Sequence, residues 1–307
     1  MFKTPIIFLT YKRPKETKKI LDIILSLKPK NLYIFQDGKK KEFSKIELKN
    51  HNDTKSVIES GIKNKKVKVV FFKKNLGQKL VGYKMMKHVF NLERECIIIE
   101  DDCVPKKIFF KYCSKMLKRF KNSKDIAHIS GCNLFYGVYK KKVDKHDIFF
   151  SKYPHFMGWA TWRDRWQRYY DPNIKDWPKN KDKFLSKSNL KSGEKRFFKN
   201  YLDKIYKNPK LSVWDIQWLY YNIFHNLKTI VPNVNLIKNV GFDNAPTGQS
   251  AKKFRNLFTK DLKLPIKKTY NSSYNAKYDN FLYDSFYNRK FLLFRIFNKL
   301  KYKIKYF

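Results

Sequence analysis

The sequence predicts an α/β fold built on a doubly wound, mostly parallel sheet, and three observations carry that prediction. Through the first half of the chain, short apolar, β-branched runs alternate with longer segments whose apolar residues recur at helical spacing. The run at 96–99 is apolar throughout, as a strand buried on both faces must be. Polar residues follow each run at once, which is where such a sheet binds ligands, beyond the carboxyl ends of its strands.

Residues 5–9 (PIIFL) read as the first strand, and Pro14 then opens a helix with Ile20, Leu21, Ile24, Leu25 and Leu27 on one side. Residues 31–35 (NLYIF) form the second strand and 66–72 (KVKVVFF) the third, followed after Asn75-Leu76-Gly77 by a helix to about Leu92. The fourth strand, 96–99, closes on Glu100. Pro105 starts a helix with Phe109, Cys113, Met116, Leu117 and Phe120 on one face, and 126–130 (IAHIS) is the fifth strand. The polar groups after these strands are Tyr11-Lys12-Arg13, Gln36-Asp37-Gly38, Lys74-Asn75, Glu100-Asp101-Asp102 and Gly131-Cys132-Asn133.

From about residue 140 to 248 the alternation breaks down, and all six Trp lie there. Beyond Ser250 the chain carries 15 Lys+Arg against three Asp, with no Gly. The expected organisation is a domain over 1–250, in two halves that meet at about 135, and a basic, aromatic extension over 251–307.

The 307 residues include 69 Lys+Arg and 26 Asp+Glu, for a formal net charge of +43. A hydrophobic fraction of 42%, with 27 Phe and 20 Tyr, excludes an intrinsically disordered chain. The charge invites a nucleic-acid reading. Composition weakens it, because only ten of the basic residues are Arg, the side chain suited to bidentate recognition of phosphate and guanine. An excess of Lys, Asn, Ile, Phe and Tyr fits an A+T-rich coding sequence, with an anionic membrane or polymer surface as the competing explanation.

The four cysteines, Cys96, Cys103, Cys113 and Cys132, form no CxxC or Cys/His zinc spacing, which fits a reduced, cytoplasmic setting. Neither a signal peptide nor a membrane span can be built from the five-residue apolar run near the N-terminus.

Glu100-Asp101-Asp102 is the sharpest chemical feature. Three consecutive carboxylates at the end of an apolar strand repel one another unless a cation sits among them. A hard divalent ion shared with substrate phosphates relieves that repulsion; a solvated turn before the next helix is the alternative. Arg13 and Asp37 would face the same crevice, Asp37 accepting from a ribose or base and Arg13 stacking on or bonding a base, unless each is an ordinary turn residue. No GxGxxG or GxxxxGK[ST] occurs, so no glycine-rich loop holds the phosphates.

These residues resemble the GT-A nucleotide-sugar transferases, a Rossmann-like family with a mostly parallel central sheet flanked by helices. The resemblance rests on Arg13-Pro14, Gln36-Asp37-Gly38, Gly82-Tyr83-Lys84, Ile99-Glu100-Asp101-Asp102, Phe109-Phe110-Lys111-Tyr112, Gly158-Trp159 and Trp214-Asp215. It is nearest to the Golgi N-acetylglucosaminyltransferases that initiate hybrid and complex N-glycans. The stretch YPHFMGWATWRDRW at 153–166, with WDIQW and NVGF further on, is also similar to bacterial proteins described as glycosyltransferases or haemolytic-protein homologues. The likeness spans roughly residues 3 to 245.

It implies an enzyme that moves a sugar from a nucleotide diphosphate donor, a UDP-sugar such as UDP-GlcNAc, with Mn²⁺ (or Mg²⁺) as cofactor, a nucleotide-binding half to about 135 and an acceptor half from about 136 to 250. Asp102 matches the metal-binding acid, Glu100 and Asp101 the positions touching sugar and ribose, and Arg13 and Asp37 those holding uracil. Asp215 falls near the catalytic base for direct inversion. There the sequence departs from the family, whose element reads Trp-Asp-Asp-Trp where this chain has Trp-Asp-Ile-Gln-Trp. An acceptor hydroxyl needs such a base, although Asp215 also suits an N-cap ahead of a helix over 216–224. Lys79, Lys84 and Arg163 are candidates for holding the leaving diphosphate.

Gly158 and Trp159 are expected to line the donor-sugar pocket, the indole stacking on the sugar, whereas Trp162, Trp166, Trp177 and Trp218 read as core. His128 and His155 are not assigned as ligands. Residues 241–250 (GFDNAPTGQS) read either as a loop closing over the donor or as a turn-rich segment without function. A helix over 290–300, with Leu292, Leu293, Ile296, Phe297 and Leu300 on one face, is either drawn to an anionic membrane surface or packed on the domain.

The functional expectation is a metal-dependent, inverting glycosyltransferase acting on a glycan or lipid-linked acceptor in bacterial surface-polysaccharide or lipooligosaccharide assembly, cytoplasmic and peripheral on the inner membrane face. A nucleotidyltransferase, or a non-catalytic basic protein binding nucleic acid or membrane, is the competing reading.

Overall fold

The computed structural model describes residues 1–63, 65, 67–187, 189–242, 254–266 and 272–288. The strands among them are β1 (Ile6–Thr10), β2 (Leu32–Gln36), β3 (Lys68–Phe71), β4 (Glu95–Glu100), β5 (Cys103–Pro105), β6 (Ile126–Ser130), β7 (Ile148–Ser151), β8 (Trp159–Trp162), β9 (Lys228–Pro232) and β10 (Ile237–Asn239). The helices are α1 (Pro14–Ser26), α2 (Lys45–Gly61), α3 (Gly77–Leu92), α4 (Lys107–Arg119), α5 (Leu134–Tyr139), α6 (Arg163–Tyr169), α7 (Trp177–Ser186), α8 (Ser192–Lys207), α9 (Asp215–Phe224) and α10 (Ala276–Leu282), which runs into a π-helical turn over Tyr283–Tyr287.

Eight strands form one sheet in the order β3-β2-β1-β4-β8-β6-β9-β7. β1 to β4 are mutually parallel, and β6 and β9 point the same way, whereas β8 and the edge strand β7 run against them. The fold is thus α/β with a mostly parallel sheet. Successive residues of β1 serve opposite faces, as the two-residue repeat of a strand requires. Ile6 and Phe8 pack with Ile20, Leu21 and Ile24 of α1 and Phe109, Cys113 and Met116 of α4. Ile7 and Leu9 pack with Val81, Met85 and Val89 of α3 and with Trp218 of α9. Helices therefore cover both faces, and the sheet is doubly wound.

All five predicted strands of the first half are present, each within two residues of its expected bounds. Helix α2 was not foreseen; its signal is Ser44 and Glu47, which form a capping box, the Ser44 hydroxyl accepting from the Glu47 N–H and the Glu47 carboxylate from the Ser44 N–H. Pro105 does not open the following helix as predicted. It ends β5, which pairs antiparallel with β10, and α4 begins two residues later.

The four cysteines are buried and unbridged. Residue 250 is not a packing boundary: Phe254, Leu257, Tyr278, Phe281, Leu282 and Tyr287 share a core with Phe198 and Leu202 of α8 and Tyr220 of α9. The predicted helix over 290–300 and the segment 243–250 of the predicted loop lie outside the described residues. No helix among the described residues is long and apolar enough to cross a membrane.

Candidate active site

The carboxyl end of β4 lies between β1 and β8, and the acidic triplet starts on its last residue. The Asp101 N–H donates to the Leu9 carbonyl (3.0 Å), which carries the Asp101 side chain across to the segment after β1. There one carboxylate oxygen accepts from the Tyr11 N–H (2.7 Å) and the other from Arg13 Nη1 (2.7 Å). Burial works against the Arg13 charge, but Asp101 and Asp102 more than offset it, so its pKa is raised. The Asp101 carboxyl is pushed up to about 6, chiefly by burial and by Asp102, against the pull of Arg13.

Glu100 makes no side-chain hydrogen bond to the described residues. Its carboxyl is driven well above the usual range by burial, then by the charges of Asp102, Asp101 and Asp215, with Arg13 pulling the other way. Four carboxylates and one guanidinium, from three separate stretches of chain, thus share one electrostatic field.

Asp215 reaches this field because α9 starts on it. It is the first helical residue, not the cap, and its Oδ1 accepts from the Ile216 N–H (2.9 Å) near the positive end of the helix dipole. The preceding segment is held by Tyr170, whose hydroxyl donates to the Trp214 carbonyl (3.1 Å), and by Gln217, whose amide donates to the Val213 carbonyl (2.7 Å). Lys79 is part of the same brace. Its ammonium, buried and with its pKa lowered by desolvation, donates to the Pro209 carbonyl and to Asn173 Oδ1. The expectation that Lys79 holds a diphosphate is therefore corrected, since the buried ammonium is held by Asn173 and by Pro209 in the segment leading to Asp215. Arg163 is corrected as well: β8 runs antiparallel to β4, so Arg163 follows the residue paired with Glu95, five residues or roughly 16 Å from Glu100. Lys84 is exposed on α3.

Asp37 serves the chain rather than the crevice. Its Oδ1 accepts from the N–H groups of Gly38 (2.8 Å) and Leu76 (2.9 Å), and its Oδ2 from Gly77 N–H (3.0 Å) and Asn75 Nδ2 (2.9 Å). Two bonds to each oxygen fill the acceptor capacity of a carboxylate, so the uracil-binding expectation is replaced by a clamp between β2 and the start of α3. Next to it, a Cβ on Gly38 would stand 2.3 Å from the Lys74 carbonyl carbon, which belongs to backbone and cannot swing away. Gly38→Ala is expected to lower stability by about 1–3 kcal/mol through overpacking, read as a fall in melting temperature.

Trp159 is also corrected. It is 0% exposed, stacked on His128 (4.9 Å between ring centroids) and packed against Trp166 and Trp214, so neither indole face meets a ligand. Gly158 precedes it at the mouth of β8 with φ +64°, its carbonyl accepting from the Gly131 N–H (2.7 Å). Trp162, Trp166, Trp177 and Trp218 are buried as expected. His128 is committed too: Nε2–H donates to the His155 carbonyl (2.9 Å) and Nδ1 accepts from the Trp218 indole (3.3 Å), while burial holds its pKa down near 3.

Asp102 is the half-buried acid of the triplet. Its Oδ1 accepts from Cys103 Sγ (3.0 Å), and a Cβ on Gly241 would lie 2.5 Å from Oδ2, so the glycine leaves open the space this oxygen faces. Among the described residues no group of three or more His, Cys, Asp or Glu could hold a metal ion unaided. The donor set nevertheless suits a hard divalent cation of the Mg²⁺ or Mn²⁺ kind, which takes one or two carboxylates and completes its shell with water and substrate phosphate.

Several contributors escaped sequence reasoning. Tyr11 acts through its backbone N–H, which leaves no residue signature. Gly241 reaches Asp102 through the β5–β10 pairing and the bond from Val240 N–H to the Asp102 carbonyl (2.8 Å). The phenols of Tyr170, Tyr201 and Tyr287 are raised first by burial, with the Asp215 charge contributing to each.

No protein-family model matches the chain, and no curated protein sequence does. Among solved structures it is similar to a UDP-glucose pyrophosphorylase complexed with UDP-glucose (10% identity, 75% of this chain and 90% of that one, TM-score 0.36). It is also similar to a cytidylyltransferase from Leptospira borgpetersenii (9%, 60% and 74%, TM-score 0.34) and to mouse xyloside xylosyltransferase 1 (9%, 54% and 69%, TM-score 0.32). Likenesses this slight carry no weight for what the chain does.

Proposed function

We propose that this chain is a metal-dependent glycosyltransferase that moves a sugar from a UDP-sugar to an acceptor hydroxyl with inversion. What supports the reading above all is the common field of Glu100, Asp101, Asp102 and Asp215, with Arg13, at the carboxyl end of the central strand. Carboxylates crowded so that Asp102, Asp101 and Asp215 all push the Glu100 carboxyl upward are poorly placed for stability and well placed for a cation and a proton transfer.

Asp102, with Glu100 beside it, would hold the divalent ion, which when bound neutralises the charge of the departing diphosphate. Arg13 keeps Asp101 in place, and its side chain, 38% exposed, has a face left for the nucleotide base. Asp215 takes the acceptor proton: Oδ1 is engaged by the Ile216 N–H, leaving Oδ2. As the acceptor oxygen bonds to the anomeric carbon, the bond to the phosphate oxygen breaks and the proton passes to Asp215. Burial raises the pKa of this carboxylate, which makes it a better base. UDP-GlcNAc as donor and a glycan or lipid-linked acceptor of bacterial surface-glycan assembly extend the resemblance read from the sequence.

Thermal denaturation with UDP, with and without Mn²⁺, tests this reading. Ligand at 100 times its Kd stabilises by about 2.7 kcal/mol, and the shift is expected only with the ion and is lost in Asp102→Asn. If no nucleotide diphosphate raises the melting temperature, the reading fails. Release of pyrophosphate from a nucleoside triphosphate and a sugar phosphate would assign nucleotidyl transfer instead.

A further inference from the structure

A cavity of 830 Å³ lies at the other end of the sheet from the acidic crevice. Its lining includes Thr4 and Pro5 just before β1, Glu95 at the start of β4 and Trp162 at the end of antiparallel β8. Eight of its sixteen lining residues are Lys or Arg and three are acidic. In the whole chain 69 of 307 are Lys or Arg, so the enrichment is local and exceeds the general lysine excess.

The basic groups are poorly offset. Lys115 and Lys118 stand exposed on α4, whose residues Cys113, Met116 and Leu117 are buried in the core. These two lysines and Lys3 make no hydrogen bond or ion pair among the described residues. Two of the three acids are already engaged. Asp164 pairs with Lys124 and Arg165, and Glu93 accepts from Asn31 (2.7 Å) and the Tyr33 hydroxyl (2.6 Å). Just beyond α4 the buried Arg165 guanidinium covers backbone carbonyls that would repel an anion, donating to those of Lys121 (2.7 Å) and Ser123 (3.2 Å). A concave surface on which Lys3, Lys115 and Lys118 have no counter-charge, while Lys124 is paired with Asp164 and Lys121 acts on Glu95, still carries an excess of cations that concentrates anions, and its volume is that of a small-ligand site.

We propose that this cavity binds a multiply charged phosphate group, at a second ligand site separate from the acidic crevice. The chemistry is shared by a soluble polyphosphorylated compound and a phospholipid headgroup. The proposal does not depend on the transferase reading.

Calorimetric titration of the full chain with inorganic triphosphate, in buffer containing EDTA, tests it. The triple variant Lys115→Glu/Lys118→Glu/Lys121→Glu is expected to bind at least ten-fold more weakly. Lys204→Glu/Lys207→Glu/Lys210→Glu, which changes the net charge equally on exposed positions elsewhere, and Asp102→Asn should each stay within two-fold. Lys115→Ala/Lys118→Ala, a milder change, should lose about three-fold with an unaltered circular dichroism spectrum. Sedimentation with phosphatidylcholine vesicles, with or without phosphatidic acid, distinguishes the sources. Anionic-vesicle binding lost in the Lys115/Lys118/Lys121 triple but not in its control assigns a lipid headgroup, and binding of triphosphate alone assigns a soluble compound. Equal loss in both triples, or binding to neither probe, overturns the proposal.

Discussion

Asp215→Asn is expected to slow the proposed sugar transfer by about 10²–10⁴-fold, the usual contribution of a positioned general base, while the proposed Mn²⁺-dependent UDP affinity stays within about two-fold. Asparagine keeps the shape of the side chain and an oxygen for the Ile216 N–H, so the start of α9 should hold. What disappears is the carboxylate proposed to take the acceptor's proton. Removing this charge also removes one of the three carboxylates that push Glu100 upward. The residual activity should therefore show its acid limb at lower pH than the native enzyme. Initial rates at saturating donor, with UDP affinity measured in parallel, decide the matter. A rate within five-fold of native would exclude Asp215 as the base.

The parts of this site that could be read in the sequence are those whose chemistry is carried by side-chain type. Three adjacent acids after an apolar strand announce unrelieved charge whatever the fold, and the charges of Arg13 and Asp215 act on Glu100 together with its neighbours. The parts that misled are those where the same side chain serves the chain itself. Asp37 is an acid of the kind that binds a base, yet three donors of the loop over 75–77 and the Gly38 N–H consume it. Lys79 has the composition of a phosphate ligand, yet a backbone carbonyl takes it. Trp159 has the face a sugar would stack on, yet His128 covers it. Which of two uses a polar or aromatic residue finds depends on loop closure, and local sequence does not contain that.

The fold divides in a similar way. Strands buried on both faces and helices with an apolar stripe signal themselves locally, and so β1 to β4, β6, α1, α3 and α4 were legible. β8 was not: Trp159 read as lining a sugar pocket and Trp162 as core, because an antiparallel strand inserted between β4 and β6 is defined by distant partners, Ile98 opposite Trp159 and Glu95 opposite Trp162. That reversal also explains the misplacement of Arg163, since it sends the end of the aromatic stretch away from the crevice. The boundary at residue 250 failed because net charge tracks composition, whereas attachment depends on a few apolar side chains such as Tyr278 and Phe281 in an otherwise basic segment.

Those side chains lead to the second large effect, a loss of stability with rising pH that centres on Asp279. This residue of α10 is almost fully buried, and burial pushes its carboxyl from 3.8 to about 7 despite the Ser151 hydroxyl, which donates to Oδ1 at 2.5 Å. Glu194, wholly buried and paired with Lys152 Nζ (2.9 Å) and the Tyr153 hydroxyl (2.7 Å), adds to the upward push. With the folded pKa above the unfolded one, the native state keeps a proton that the unfolded chain has released. The stabilisation is thus complete below about pH 4 and is lost as pH rises through about 7, and it amounts to at most about 4 kcal/mol. Asp101, raised to about 6, acts in the same direction over a narrower window. Asp279→Asn mimics the protonated carboxyl, so its melting temperature should match the native one near pH 4 and exceed it increasingly up to pH 8, by up to roughly 8 °C. Hydrogen exchange should place the native loss in α10 and the π-helical turn, because an ionised Asp279 beside Glu194 leaves Lys152 as the cation shared by two buried carboxylates. If the two proteins instead keep parallel stability profiles from pH 4 to 8, Asp279 is ionised in the folded state, and the packing of Tyr278, Phe281 and Leu282 is what fastens this segment to the body.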